Sequence, residues 1–232
     1  MRIFLVGEGR HDIGDLAIAS PYRRSRPGFL QPVIEKIIGS RVTFDGQKVS
    51  LLGKKPVRGL RGALERKAWM ASLLAENAES DLLVFVTDLD RSSGTRRSDA
   101  VKDIERKSEM INRGCQSQAV GRVECVPGIP CRTIEAWAMG DPAAVASLVG
   151  AGDSVRLPGG KGPEGLWGKP RDPDSDHPKM VLKRILGHEG TQEDLGKIAE
   201  HADIRAVRQA CPLSFEPFAT DLEAVARRPR PA

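Results

Sequence analysis

The stretch Leu82-Leu83-Val84-Phe85-Val86-Thr87-Asp88-Leu89-Asp90 decides the fold that we expect for this chain. It opens on a continuous apolar run, which is typical of a strand buried on both faces of a parallel sheet. Two carboxylates follow the run directly, and a polar loop then extends from Ser92 to Arg97. We therefore predict a central strand that ends in an acidic turn.

A second junction of the same kind lies at the start of the sequence. Arg2 to Val6 is an apolar, strand-forming run that Gly7-Glu8-Gly9 interrupts, and Asp12 follows shortly after. The carboxyl ends of parallel strands meet at one edge of a sheet, where open α/β folds bind their ligands. Carboxylates that converge there suit a hard cation such as Mg²⁺, which takes oxygen ligands and keeps several waters.

The remaining sequence alternates between strand and helix patterns. Helical spacing marks residues 30–38 and 60–74, residues 41–52 indicate a hairpin or an edge strand, and residues 119–126 form a further strand that closes at Pro127. This order predicts an α/β fold with a mostly parallel sheet flanked by helices and a helical C-terminal part. We divide the chain into an α/β domain (1–150), a Gly- and Pro-rich loop (151–178) and C-terminal helices packed on the domain (179–226).

Composition and charge narrow the class of protein. Hydrophobic residues make up 40% and charged residues 29% of the chain, as in ordinary globular domains. No segment approaches the roughly 18 apolar residues of a membrane span, so we expect a cytoplasmic protein without a membrane partner. The four cysteines lack metal-site spacing. A net charge of +5 is compatible with binding to phosphate backbones.

The two acidic turns resemble a known domain. Val6-Gly7-Glu8-Gly9 and Asp88-Leu89-Asp90-Arg91 look, in order and spacing, like the two halves of the Toprim domain shared by topoisomerases, primases and OLD-type nucleases. Further segments resemble a family of small stand-alone bacterial Toprim-like proteins without an agreed function: Gly128-Ile129-Pro130-Cys131-Arg132-Thr133-Ile134-Glu135-Ala136-Trp137, Asp141, His177-Pro178-Lys179 and Cys211-Pro212-Leu213-Ser214-Phe215. This likeness spans nearly the whole chain and implies a Toprim-like fold.

The resemblance also implies roles for particular acidic residues. It makes Glu8 a general acid, a general base or a metal ligand, and it makes Asp88 and Asp90 catalytic ligands of Mg²⁺ or Mn²⁺. Likeness to OLD nucleases adds Asp12 as a ligand in a two-metal site. A structural interpretation is open for each: Glu8 and Asp12 can cap a helix, and the other two can form an ordinary Asp-rich turn. Their occurrence together favours the metal site.

Three residues outside this set are candidates for a supporting role: Arg91, Glu135 and Lys179. Arg91 either binds phosphate or neutralises the acids beside it. Glu135 is either a further ligand or part of an amphipathic helix start that ends in a packing tryptophan. The four histidines show no spacing typical of a metal or general-base site, so we expect them on the surface or in the core.

Together with the acidic turns, the resemblance implies a Mg²⁺- or Mn²⁺-dependent nuclease that hydrolyses DNA or RNA, and it alone adds a bacterial defence or toxin system as the context. One alternative is a non-catalytic module that binds nucleic acid or a partner protein. Another is an aspartyl-phosphate phosphatase, because Asp88-x-Asp90-x-Ser92 is similar to that motif. The chain lacks a P-loop, so any ATP dependence requires a separate ATPase subunit. The sequence is compatible with a homo-oligomer.

Overall fold

A parallel β-sheet forms the centre of the fold in the computed structural model. The structure describes residues 1–18, 26–53, 56–89, 97–117, 123–150, 152 and 155–228. The sheet consists of β1 (Arg2–Gly7), β2 (Thr43–Lys48), β3 (Leu82–Val86) and β4 (Glu124–Gly128), in the order β2-β1-β3-β4. Every pairing is parallel, so the carboxyl ends of all these strands lie at one edge. The predicted α/β class is confirmed.

Helices cover both faces of this sheet. They are α1 (Arg10–Ile13), α2 (Leu30–Ile38), α3 (Ala63–Asn77), α4 (Arg97–Cys115), α5 (Ile134–Ala138), α6 (Pro142–Val149), α7 (Pro178–Leu186), α8 (Gln192–His201), α9 (Ile204–Ala210) and α10 (Phe215–Ala226). Short 3-10 turns lie at Gly14–Ala17, Val49–Leu51, Pro158–Gly160 and Pro163–Gly165. Among the described residues, no helix has both the length and the apolar character that crossing a bilayer requires.

Strand β3 shows why the sheet needs helices on both sides. Leu82, Val84 and Val86 belong to one hydrophobic core, whereas Leu83 and Phe85 belong to another. Side chains alternate across a strand, so a strand that is apolar at every position must be covered twice. The first core includes residues of α2 and of α5 to α10, and the second includes residues of α3 and α4.

The C-terminal helices belong to the first core, which confirms the predicted helical C-terminal part. Helix α8 packs against α1 and α2, and α10 packs against α2 and β4. Trp137 stacks on Phe218 with ring centroids 5.1 Å apart and meets Phe215 edge-on at 5.2 Å. Its indole N–H donates to Ser214 Oγ at 2.7 Å. The proposed boundaries at residues 150 and 178 stay predictions.

Strand β4 ends later than the sequence pattern indicated. The pattern predicts a strand over residues 119–126 that closes at Pro127, whereas the strand includes Pro127 and ends at Gly128. Thr87 and Leu89 donate their backbone N–H groups to the carbonyls of Gly128 and Pro130. Even-numbered residues of this segment therefore direct their backbone polar groups towards β3, and the nitrogen of Pro127, an odd-numbered residue, points away from β3. Because β4 is an edge strand, the missing N–H of Pro127 removes no ladder hydrogen bond.

Residues 41–52, which the sequence left open between a hairpin and an edge strand, form the other edge. Strand β2 runs parallel to β1, with Thr43 opposite Arg2 and Lys48 opposite Gly7. A hairpin at Asp45-Gly46 is therefore wrong, since both residues lie within the strand. Gly46 is needed there, because a Cβ atom at this position would lie 2.2 Å from the Leu5 carbonyl oxygen.

Candidate functional site

The two acidic turns lie side by side at the carboxyl edge of the sheet. Val6 of β1 is opposite Phe85 of β3, and the residues that follow these strands remain adjacent. The hydroxyl of Thr87 donates to Glu8 Oε1 at 2.6 Å and joins the two turns directly. Glu8 and Asp88 are therefore at the same edge. Asp90 and Arg91, the other candidates on this turn, lie outside the described residues.

Asp12 reaches the same edge from α1. Its Oδ2 accepts the backbone N–H of Glu8 at 2.6 Å, and its side chain is buried, with 4% of the residue exposed. Gly7 allows this turn to close tightly, because a Cβ atom there would lie 2.6 Å from Ile13 Cγ2 and 2.9 Å from Asp12 Cβ. The hydrogen bond to Glu8 agrees with the structural interpretation of Asp12. It does not explain why further acids surround this carboxylate.

Glu135 approaches the cluster from α5, which follows β4. The residue is 3% exposed, and its Oε1 lies 3.3 Å from Nδ1 of His11. Its Oε2 has no hydrogen-bond partner within the described part of the chain. Burial opposes ionisation of Glu135, but the hydrogen bond with His11 and the charge of Lys179 outweigh it and lower its pKa. Glu135 is thus a buried, charged carboxylate with one oxygen available.

The sequence did not indicate a role in the site for His11, which we expect from its spacing on the surface or in the core. Its hydrogen bond with Glu135 raises the pKa of His11, although burial and the charge of Lys179 oppose this. The pair spans 124 positions in the chain. The only signal in the sequence was that His11 precedes Asp12 directly.

The carboxylates in this cluster oppose one another's ionisation. Burial, together with the charges of Glu135 and Glu8, raises the pKa of Asp12 to about 7 even though backbone N–H groups of Glu8 and Gly9 stabilise its charged form. Burial, followed by the charges of Asp12, Glu135 and Glu8, raises the pKa of Asp88 well above its usual value. The charge of Lys179, an exposed residue in the first turn of α7, favours ionised Asp88.

A preformed metal cage is not found in the described part of the chain. No group of three or more His, Cys, Asp or Glu side chains among the described residues is arranged to hold a metal ion. Asp90, which the sequence placed in this set, is not among them. The donors nevertheless suit a hard cation, because they are carboxylates and Oε2 of Glu135 has no hydrogen-bond partner among the described residues.

A separate surface pocket lies beside β2 and α2. The described residues that line it include Asp15, Gln31, Glu35 and Phe44. None of the described residues of the acidic cluster is among those that line this pocket, so this pocket and the candidate chemistry do not coincide.

We predict that the metal-free protein loses stability as pH rises from about 4 to about 7. The pKa of Asp12 is about 7 in the folded state, above its ordinary value, so its contribution is full at low pH and is lost as pH rises through 7. The raised pKa values of Asp88 and His11 act in the same direction. In thermal melts in chelator, the melting temperature of Asp12→Asn should fall less over this pH range than that of the wild type, because asparagine carries no charge at either pH.

The control for this experiment is Asp174→Asn, because Asp174 is exposed on the Gly- and Pro-rich loop. Its melting temperature should follow that of the wild type across the pH range. Parallel pH profiles for the wild type and Asp12→Asn would contradict the raised pKa of Asp12.

The fold and the site define an α/β protein with a carboxylate cluster at the carboxyl edge of a parallel sheet. Residues 25–223 match the family described as Domain of unknown function (DUF4276), and the chain belongs to that family. No curated protein and no solved structure matches the chain. The family match contains Asp88, Glu135 and Lys179 and begins after Glu8 and Asp12.

Proposed function

We propose that this protein is a Mg²⁺- or Mn²⁺-dependent nuclease that hydrolyses phosphodiester bonds in DNA or RNA. One observation carries the proposal: buried Asp12 and half-buried Asp88 lie among other acids that oppose the ionisation of both. Holding like charges together without compensation is costly, and the backbone hydrogen bonds that Asp12 accepts offset only part of that cost. A divalent cation would remove that cost by pairing with several carboxylates at once.

The ligands in this proposal are Glu8, Asp12, Asp88 and Asp90, with Glu135 as a further donor. A bound divalent cation would stabilise negative charge on the phosphate oxygens and lower the pKa of a bound water. Thr87 orients Glu8 through its hydrogen bond, and His11 holds one oxygen of Glu135.

Positive charge near the acidic edge supports a polyanionic substrate. Lys179 lies close enough to Asp88 and Glu135 to favour their ionised forms. Arg10 is exposed on α1, the helix that follows β1 and carries Asp12. Cations around a catalytic edge attract phosphate backbones and position them without reading sequence. We place this activity in the cytoplasm, where nucleic acid and Mg²⁺ occur together.

A second candidate is a module that binds nucleic acid or a partner protein without catalysis. The observation that favours it is that the described acidic side chains do not form a ready three-ligand group. In this case the acids would bind divalent cations weakly, and nucleic acid would bind without turnover.

An assay with three substrates tests the proposal. Plasmid, single-stranded DNA and tRNA are incubated with the purified chain in Mg²⁺, in Mn²⁺ and in chelator, and products are resolved on gels. We expect cleavage of at least one substrate in metal and none in chelator. Binding without cleavage in every metal would support the non-catalytic module. Release of phosphate from phosphomonoesters, with intact polymers, would instead indicate the phosphatase.

A further inference from the structure

The turn that carries Asp88 is held from two sides. On the β4 side, Thr87 and Leu89 donate their backbone N–H groups to the carbonyls of Gly128 and Pro130, at 3.0 and 3.2 Å. From α4, Nζ of Lys107 donates to the backbone carbonyl of Asp88 at 2.5 Å. The carbonyl of Asp88 is thus satisfied by a side chain of α4 rather than by the sheet.

The hydrogen bond from Lys107 joins α4 to the turn that carries Asp88. Lys107 is the eleventh residue of α4, which begins at Arg97, and it reaches back 19 positions to the turn. A lysine that is held in one geometry loses rotamer freedom, and water could satisfy an exposed carbonyl in its place. A charged donor forms a stronger hydrogen bond than a neutral donor such as water does. The result is a fixed backbone at the residue from which the Asp88 carboxylate projects.

We propose that Lys107 is a positioning residue that fixes Asp88 for binding of the divalent cation, an inference that rests on the proposed function. Cation sites depend on ligand placement within about half an ångström, which the residues behind the ligands provide. Lys107 acts through the backbone of Asp88. Removing its hydrogen bond therefore weakens cation binding, although none of the acidic residues is changed.

The test compares Lys107→Met with Lys102→Met. Both variants lose one lysine charge from α4, but Lys102 is exposed and projects from another turn of the helix. The Mg²⁺ concentration for half-maximal cleavage should rise about tenfold or more in Lys107→Met and stay at the wild-type value in Lys102→Met. Saturating Mg²⁺ should restore most of kcat. Lys107→Arg, which keeps a charged donor, should recover part of the affinity.

Amide hydrogen exchange of residues 87–89 separates this inference from the proposed function. If Lys107 fixes the turn, exchange in this segment of the metal-free protein increases in Lys107→Met and not in Lys102→Met. If the wild type neither cleaves nucleic acid nor responds to Mg²⁺, the proposed function fails, and with it the role in cation binding. If the wild type is active but both methionine variants match it in Mg²⁺ dependence and in exchange, the positioning role is overturned.

Discussion

Replacing Asp88 by asparagine is expected to abolish metal-dependent cleavage without destabilising the metal-free protein. Asparagine keeps nearly the same shape and removes a charge whose ionisation burial and three neighbouring acids oppose. The melting temperature in chelator should therefore be unchanged or higher. The loss of a ligand that stabilises charge at the phosphate should reduce kcat by roughly a hundredfold to a thousandfold. The stabilisation that Mg²⁺ gives the wild type should also disappear.

Thermal melts and gel assays on the wild type, Asp88→Asn and Asp174→Asn measure both effects. Asp174 is exposed, so its variant should cleave and respond to Mg²⁺ as the wild type does. A structural acid gives the opposite pattern, because losing a capping carboxylate costs about 1 kcal/mol. If Asp88→Asn melts lower in chelator and the wild type ignores Mg²⁺, the metal-dependent function is wrong.

Trp137→Ala is expected to have the largest effect on stability. Trp137 is fully buried between Phe215 and Phe218 and joins α5 to the start of α10. Truncating a buried tryptophan costs about 3–5 kcal/mol through lost contacts and the remaining cavity. The total stability of a domain is only about 5–15 kcal/mol. Urea unfolding should therefore show a much lower midpoint, with much of the protein unfolded at 37 °C.

Leu51→Ala provides the contrast for this measurement. Leu51 is 48% exposed, so truncating it should change stability by no more than about 0.5 kcal/mol. Equal midpoints for Trp137→Ala and Leu51→Ala would contradict the assignment of Trp137 to the centre of the core.

The strands and acidic turns were predictable because their signals are local. An apolar run followed by acids, as at Asp88, specifies a buried strand and its end without knowledge of the rest of the chain. The helix of residues 30–38 was equally clear, since its apolar period ends at Gly39, which has the left-handed φ of 72°. The order of the strands in the sheet was harder to predict, because it depends on packing between distant segments.

The contacts that Glu135, Thr87 and Lys107 make in the site could not be predicted, because they also depend on packing between distant segments. Glu135 was compatible with an ordinary helix start, and only the meeting of α5 with α1 brings it to His11. Thr87 completes an apolar run in the sequence, yet its hydroxyl contacts Glu8. Lys107 lies in a helix rich in charge, where no periodicity distinguishes a lysine that contacts Asp88 from one in water.

The packing of α8 on α1 has a consequence for how the chain folds during synthesis. The two helices begin 182 positions apart, at Arg10 and Gln192. Ribosomes add roughly 5–20 residues per second, so α1 waits about 10–40 s for this partner. Strand β1 likewise waits for β3 before both of its edges are paired. Until β3 has been synthesised, the unpaired edge of this apolar strand is a natural binding site for chaperones.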